Sequence, residues 1–211
     1  MLIVGLTGGI ASGKSTVAGM FDTEGARLIS LDEISRKVVQ PGTAGWEEIL
    51  NVFGKKTAND DGTINRKKLG DIIFSDPEQR KRLEDILHPK IHQEQVRQVK
   101  DILRHDENAI VIIDIPLLIE VRKQESVDKV ILVYVPAEMQ LNRLVKRDGL
   151  SVEEAQKRIS AQDPIESKRK YAHYIIDNQG SLESTRQQVK EIWGALRKVE
   201  SNKRRRVGSR P

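Results

Sequence analysis

Gly8 to Ser15 read Gly-Gly-Ile-Ala-Ser-Gly-Lys-Ser, with Thr16 next, and this spacing of glycines, lysine and hydroxyl is that of a Walker A phosphate loop. Glycine lets backbone N–H groups approach phosphate oxygens with no Cβ in the way. A helix opening at Lys14 adds unpaired first-turn donors and positive dipole character. The backbone of Gly9, Ala11, Ser12 and Gly13, together with Lys14, Ser15 and Thr16, is therefore the expected cradle for ATP. In such loops the lysine reaches the β- and γ-phosphates and the hydroxyl, here Ser15, reaches Mg2+.

Further side chains suit phosphoryl transfer. Asp114 closes the apolar run from Ala109 to Ile113, the Walker B form, in which the acid holds magnesium or its water. Alone that pattern is equally a capping acid; with Walker A beside it, the metal role is favoured. Asp32 lies just past the short apolar stretch from Ala26 to Ile29, where open parallel sheets place ligands. It is a candidate catalytic carboxylate and also a candidate helix N-cap, and it would face the phosphate loop if its strand neighboured the first. Arg143 and Arg147 sit four apart on a helix opening at Pro136, hence on one face. Arg143 first, then Arg147 and Arg158, are candidates to neutralise charge on a transferred phosphoryl group. Pro116 and Leu117, with Leu118, either wall an apolar pocket or pack in the core.

The elements that must position these groups follow from hydrophobic period and turn residues. Strands are expected at Leu2–Thr7, Ala26–Ile29, Ala109–Ile113, Lys129–Val135 and Tyr174–Asp177. The first helix runs from Lys14 to Glu24 and stops at Gly25, a glycine placed to take a left-handed conformation. From Pro41 to His105 the chain reads as short helices, with His88-Pro89 breaking the last in two. This is too long for a simple crossover and reads as an insertion able to hold a second substrate. Ser151 to Glu154 form a capping box, and residues 136–170 make a charged helical hairpin. A last amphipathic helix is expected to end near Val199, leaving 200–211 as a basic, disordered tail.

At 211 residues and 23.9 kDa the chain suits one domain with insertions, burying roughly 70% of its unfolded surface. Zero cysteines exclude disulfides and cysteine zinc sites. The His88/His92 pair, interrupted by Pro89 and lacking the zinc-protease Glu, argues against metal. The opening apolar run is short and has no charged leader, so no membrane span and a cytoplasmic location are expected. Net charge is +5, but 197–211 carry seven Lys/Arg and one Glu, or +6, so the other 196 residues sum to −1. That distribution argues against a nucleic-acid surface built into the fold and confines any such role to the tail.

With these residues placed, the sequence resembles the dephospho-coenzyme A kinase family along essentially its full length before the tail. The matching pieces begin with the stretch from Gly5 to Thr16, Asp32 to Arg36, Val38 to Gly42, and His88-Pro89. They continue with Asp114 to Glu120, the Arg143/Arg147 helix, Gln162, and Ile176 to Asn178. The resemblance implies an α/β P-loop kinase fold: a five-stranded parallel sheet flanked by helices, with a helical substrate-binding insertion and a helical lid. On that plan 1–199 form one domain, with core 1–40, 106–136 and 171–199, insertion 41–105 and lid 137–170. The implied reaction converts ATP and dephospho-coenzyme A to ADP and coenzyme A. Asp32 would orient and deprotonate the ribose 3′-hydroxyl, and Lys14 and Arg143 would stabilise transferred charge. Arg36 and His88, with Pro116 and Leu117, would line the acceptor site, and Asn178 would lie near the ATP base.

Two positions depart from the family pattern. Ser30 stands where an aspartate is common, leaving Asp32 as the sole acid of a pair, and His173 replaces the second residue of an Ala-Asp pair. Competing expectations are another nucleoside or nucleotide kinase, a GTP-driven switch, and a nucleic-acid-binding ATPase using the tail. The switch is disfavoured because Asn202-Lys203 is followed by arginines with no guanine-reading Asp.

Overall fold

The computed structural model describes residues 1–74 and 76–208. Five strands, β1 (Leu2–Gly8), β2 (Arg27–Ser30), β3 (Ile110–Asp114), β4 (Lys129–Tyr134) and β5 (Tyr174–Asp177), form one sheet in the order β2-β3-β1-β4-β5. The β1–β3, β1–β4 and β4–β5 pairings are parallel. β3 therefore stands between β1 and β2, so the first and second strands are not direct neighbours in the sheet.

The β-branched runs of the inner strands are buried on both faces, as parallel strands must be when helices cover each side. On one face Leu2, Val4, Leu6, Ile112, Ile131 and Val133 pack with Val17 and Phe21 of α1 (Lys14–Glu24) and with Val189, Ile192 and Leu196 of α9 (Leu182–Gly208). Burying a side chain the size of Phe21 contributes about 2–3 kcal/mol. Gly25 ends α1 at φ 105°, as expected. On the other face Leu118 lies so close to Gly5 that a Cβ there would sit 2.7 Å from it. Leu118 is thus core, whereas Leu117 is 42% exposed, which separates two leucines that composition could not.

The chain divides into two compact units, Ser30–Asp101 and the remainder. The Ser30–Asp101 unit holds α2 (Leu31–Lys37), α3 (Ala44–Phe53), α4 (Arg66–Phe74) and α5 (Pro77–His105) as far as Asp101. Its own core joins Ile49, Phe53, Leu69, Leu83 and Ile86.

The expected break at His88-Pro89 does not occur, because α5 continues through Pro89 for 29 residues. A mid-helix proline removes one N–H and costs about 3 kcal/mol. Both halves of α5 are fastened within the unit: Leu83 and Ile86 before the proline lie in its core, and after it Lys90 pairs with Glu48 at 2.8 Å and Glu94 with Lys37 at 2.7 Å. Hydrogen bonds from Arg97, Gln98 and Lys37 hold the Glu94 carboxyl well below the usual carboxylate range.

Residues 200–208 are helical, continuing α9 past the expected end at Val199. Val189, Ile192, Leu196 and Val199 form a stripe facing the sheet, and Glu200 and Lys203 extend it. Glu200 is 5% exposed and 3.7 Å from the Met1 amine, and Lys203 donates to Asp128 at 2.6 Å. Arg210 and Pro211 of the expected tail lie outside the described residues. No helix among the described residues is long and apolar enough to cross a membrane.

Candidate functional site

The phosphate loop joins β1 to α1 at the carboxyl end of the sheet. Gly13 takes φ 87° and caps α1, and Ala11 takes φ 58°, a left-handed conformation rare for a residue with a Cβ. No side chain caps α1, so its first-turn N–H groups keep the donor capacity that anions use. Ser15 and Thr16 are exposed there. Lys14 forms an ion pair with Asp114 at the end of β3, so the two Walker elements meet.

Ser12 has another role. Its hydroxyl is buried with no hydrogen-bond partner among the described residues, tucked where a Cβ on Gly8 would come within 2.6 Å, and its N–H donates to the Gly9 carbonyl at 3.1 Å. It shapes the loop from beneath.

Three carboxamides grip the loop. Asn178, directly after β5, donates from Nδ2 to the Ser12 carbonyl at 2.8 Å and accepts at Oδ1 from Thr185 at 2.8 Å. A Cβ on Gly13 would stand 2.2 Å from Asn178 Nδ2, so only glycine fits. Gln140, on α6 (Ala137–Asp148), is 3% exposed and abuts Gly9. Gln162, beyond α7 (Val152–Ser160), accepts from the Ile10 N–H at 2.9 Å. Asn178 thus ties the loop to α9 through Thr185. Gln140 went unmarked in the sequence, although its spacing of three from Arg143 places both on one face of α6.

Arg143 donates from Nη2 to the Asn178 carbonyl at 2.8 Å, and its Nη1 lies 3.9 Å from where a Gly13 Cβ would be. It belongs to the loop. Arg147 and Arg158 instead both pair with Asp148, at 2.7 and 3.2 Å. The Arg147 hydrogen bond holds the Asp148 carboxyl below its ordinary value. The shared helical face thus carries one arginine to the loop and leaves the other outside.

The segment 136–170 is not uniformly solvated. Lys168, at the end of α8 (Ile165–Lys168), is fully buried in an ion pair with Glu120, whose other oxygen has no partner among the described residues. Tyr134 donates to Glu166, which raises its hydroxyl pKa, and Arg169 lies 4.9 Å above the Tyr134 ring. His173 accepts at Nδ1 from the Val130 N–H at 3.2 Å, and its backbone N–H donates to the Val130 carbonyl at 2.9 Å, extending the β4–β5 pairing. Burial first, then Lys129, pushes its imidazole below the ordinary 6.5.

In the insertion unit, Ser30 caps α2 by accepting from the Glu33 N–H at 3.2 Å. Ser30 is therefore the cap, and Asp32 is free of that duty. Asp32 and Arg36, one turn apart on α2, and His88 on α5 are exposed, and none has a side-chain partner among the described residues. Charged groups left unpaired one turn apart are available to a ligand.

Among the described residues no three or more His, Cys, Asp or Glu side chains gather as a metal cage. The loop and the end of β3 instead offer the Ser15 hydroxyl and the Asp114 carboxylate. A few hard oxygens suit magnesium, which keeps waters and takes phosphate oxygens rather than an all-protein cage.

A sequence profile of the dephospho-CoA kinase family matches residues 2–184. Curated relatives named dephospho-CoA kinase include one from Halalkalibacterium halodurans, 45% identical over 90% of this chain and 94% of its own, and one from Symbiobacterium thermophilum, 46% identical over 92% and 81%. Among solved structures, a Thermus thermophilus protein superposes with TM-score 0.78 at 35% identity, covering 92% of this chain and 97% of its own. The dephospho-CoA kinase of Campylobacter jejuni gives 0.70 at 34% identity, covering 93% and 97%.

Proposed function

The chain belongs to the dephospho-CoA kinase family, and on that premise we propose how its own residues divide the work. The reaction transfers the terminal phosphoryl group of ATP to dephospho-CoA, the final step of CoA biosynthesis. Such transfers pass through a loose transition state with charge on the equatorial oxygens, so catalysis is positioning plus electrostatics.

The observation that carries the assignment of roles is the left-handed turn at Gly13, clamped by Asn178 and Arg143 and opening an uncapped helix. The loop amides and Lys14 hold the β- and γ-phosphates. Lys14 exchanges its Asp114 partner for phosphate oxygens, which frees that carboxylate. Ser15 and Asp114 would hold magnesium, which shields charge between the β- and γ-phosphates when bound. Arg143 neutralises charge on the phosphoryl group in transit. Asp32 holds the ribose 3′-hydroxyl in line and takes its proton late, while Arg36 and His88 bind anionic or polar parts of the acceptor and Pro116 and Leu117 offer it apolar surface. The hairpin 137–170 serves as a lid that excludes water.

Asp32→Asn tests the base. Turnover should fall by at least about 100-fold, the usual scale for general acid–base groups, with an unchanged melting temperature. Full activity in Asp32→Asn would remove Asp32 from the mechanism.

A further inference from the structure

At the amino-terminal edge of the sheet, where α1 ends at Gly25 and β3 begins, an open groove of about 810 Å3 runs along the last turns of α9. An 11-residue α1 is about 16 Å long, so the groove lies that far from the phosphate loop. Trp193, Arg197, Lys198, Arg204 and Arg205 line it. The nucleotide chemistry uses none of them.

We propose that this groove binds single-stranded nucleic acid. The charge is the first reason. The side chains of Arg197, Lys198 and Arg205 are exposed and have neither a hydrogen-bond partner nor an ion-pair partner among the described residues. Of the two carboxylates lining the groove, Glu200 is matched by the Met1 amine and by Arg204 at 3.3 Å, and Asp106 accepts from the Asn108 N–H at 2.9 Å with no cation paired to it among the described residues.

Rigidity is the second reason. Leu196, Val199, Glu200 and Lys203 fasten one side of α9 to the sheet and to Asp128, so the cations on the other side are presented in a fixed array. A flexible basic tail attracts any polyanion. A helix held in register offers charges at helical spacing to a chain of phosphates.

The third reason is Trp193, which packs one part of its ring on the core and lines the groove with another. An indole lining a groove rich in arginine gives unpaired bases an aromatic partner, whatever the sequence. A concave groove with one aromatic suits a strand with splayed bases better than a flat bilayer surface, which would meet only the rim.

The test uses the full chain and a fluorescein-labelled, mixed-sequence RNA of about 20 nucleotides, with anisotropy read over a salt series starting near 50 mM. Three or four phosphate contacts predict a slope of about −2 to −3 in log K against log salt, from roughly −0.7 per contact for single strands. Arg197→Gln/Lys198→Gln/Arg205→Gln should weaken binding at least about tenfold at the lowest salt and flatten the slope, while dephospho-CoA phosphorylation is unchanged. Bound RNA should quench tryptophan fluorescence, and Trp193→Phe should abolish the quench. No binding at the lowest salt, binding unaltered in the triple variant, or capture by phosphatidylserine vesicles without RNA binding would each overturn the proposal.

Discussion

Replacing Lys168 by methionine keeps the side-chain volume and removes the charge, leaving the Glu120 carboxylate without an ion-pair partner among the described residues. Lys168 is 0% and Glu120 15% exposed at the side chain, and one Glu120 oxygen already lacks a hydrogen bond. Removing one partner of a buried pair costs about 3–5 kcal/mol. The residual exposure of Glu120 lets water relieve part of that, so about 3 kcal/mol is expected for Lys168→Met. At roughly 2–4 °C per kcal/mol for a chain of this size, the melting temperature should drop by about 6–12 °C. Glu120→Leu strands the lysine instead and should cost a similar amount. The double variant Glu120→Leu/Lys168→Met removes both charges together and should lie within about 1 kcal/mol of the wild type, because a packed apolar pair replaces an ion pair at little net cost. Urea unfolding followed by circular dichroism measures all four proteins and gives the coupling directly. A cost below about 1 kcal/mol for Lys168→Met, or a double variant as unstable as the two singles added, would refute the buried-pair argument.

Gly13→Ala should sharply weaken ATP binding, because a left-handed residue with a Cβ costs about 1–2 kcal/mol and the added carbon displaces Asn178 from Ser12. Calorimetry showing wild-type ATP affinity would contradict this. Arg143→Ala should lower turnover by about 10³-fold, the low end for an arginine acting on the transferred phosphoryl group, and lower ATP affinity far less. Equal losses in both would make Arg143 only a loop clamp. His173 titrates lower in the folded chain than in the unfolded one, so the unfolded state takes up the proton first and stability falls as pH is lowered through 6.5 towards the folded value. His173→Gln should flatten that part of the urea-midpoint profile, and an unaltered profile would assign the slope to another group.

The sheet and the phosphate loop could be read from the chain because each rests on local pattern: β-branched runs ending in Asp114 and Asp177, and glycines at fixed spacing. Other features depend on partners distant in sequence. The Ser30 cap and the exposed Asp32 differ by two positions, and either could have capped until the Glu33 N–H chose. Pro89 signals a break by local rules, which tertiary fastening at Glu48 and Lys37 overrides. The basic run after Val199 suggested disorder by composition, while its three-and-four spacing, continued through Lys203, carried the helix. Gln140 and Gln162 are uncharged and common on helix surfaces, so nothing nearby in sequence marks them as props of a loop more than a hundred residues away.

The division of roles is tested most directly by incubating the chain with ATP, magnesium, dephospho-CoA and a panel of nucleosides together, and locating any added phosphate by mass and fragmentation. The expected product is CoA, dephospho-CoA having gained phosphate at its ribose 3′-hydroxyl, formed by the wild type and lost in both Lys14→Ala and Asp32→Asn. Phosphate on a nucleoside in preference to dephospho-CoA, or 3′-phosphorylation undiminished in either variant, would contradict it.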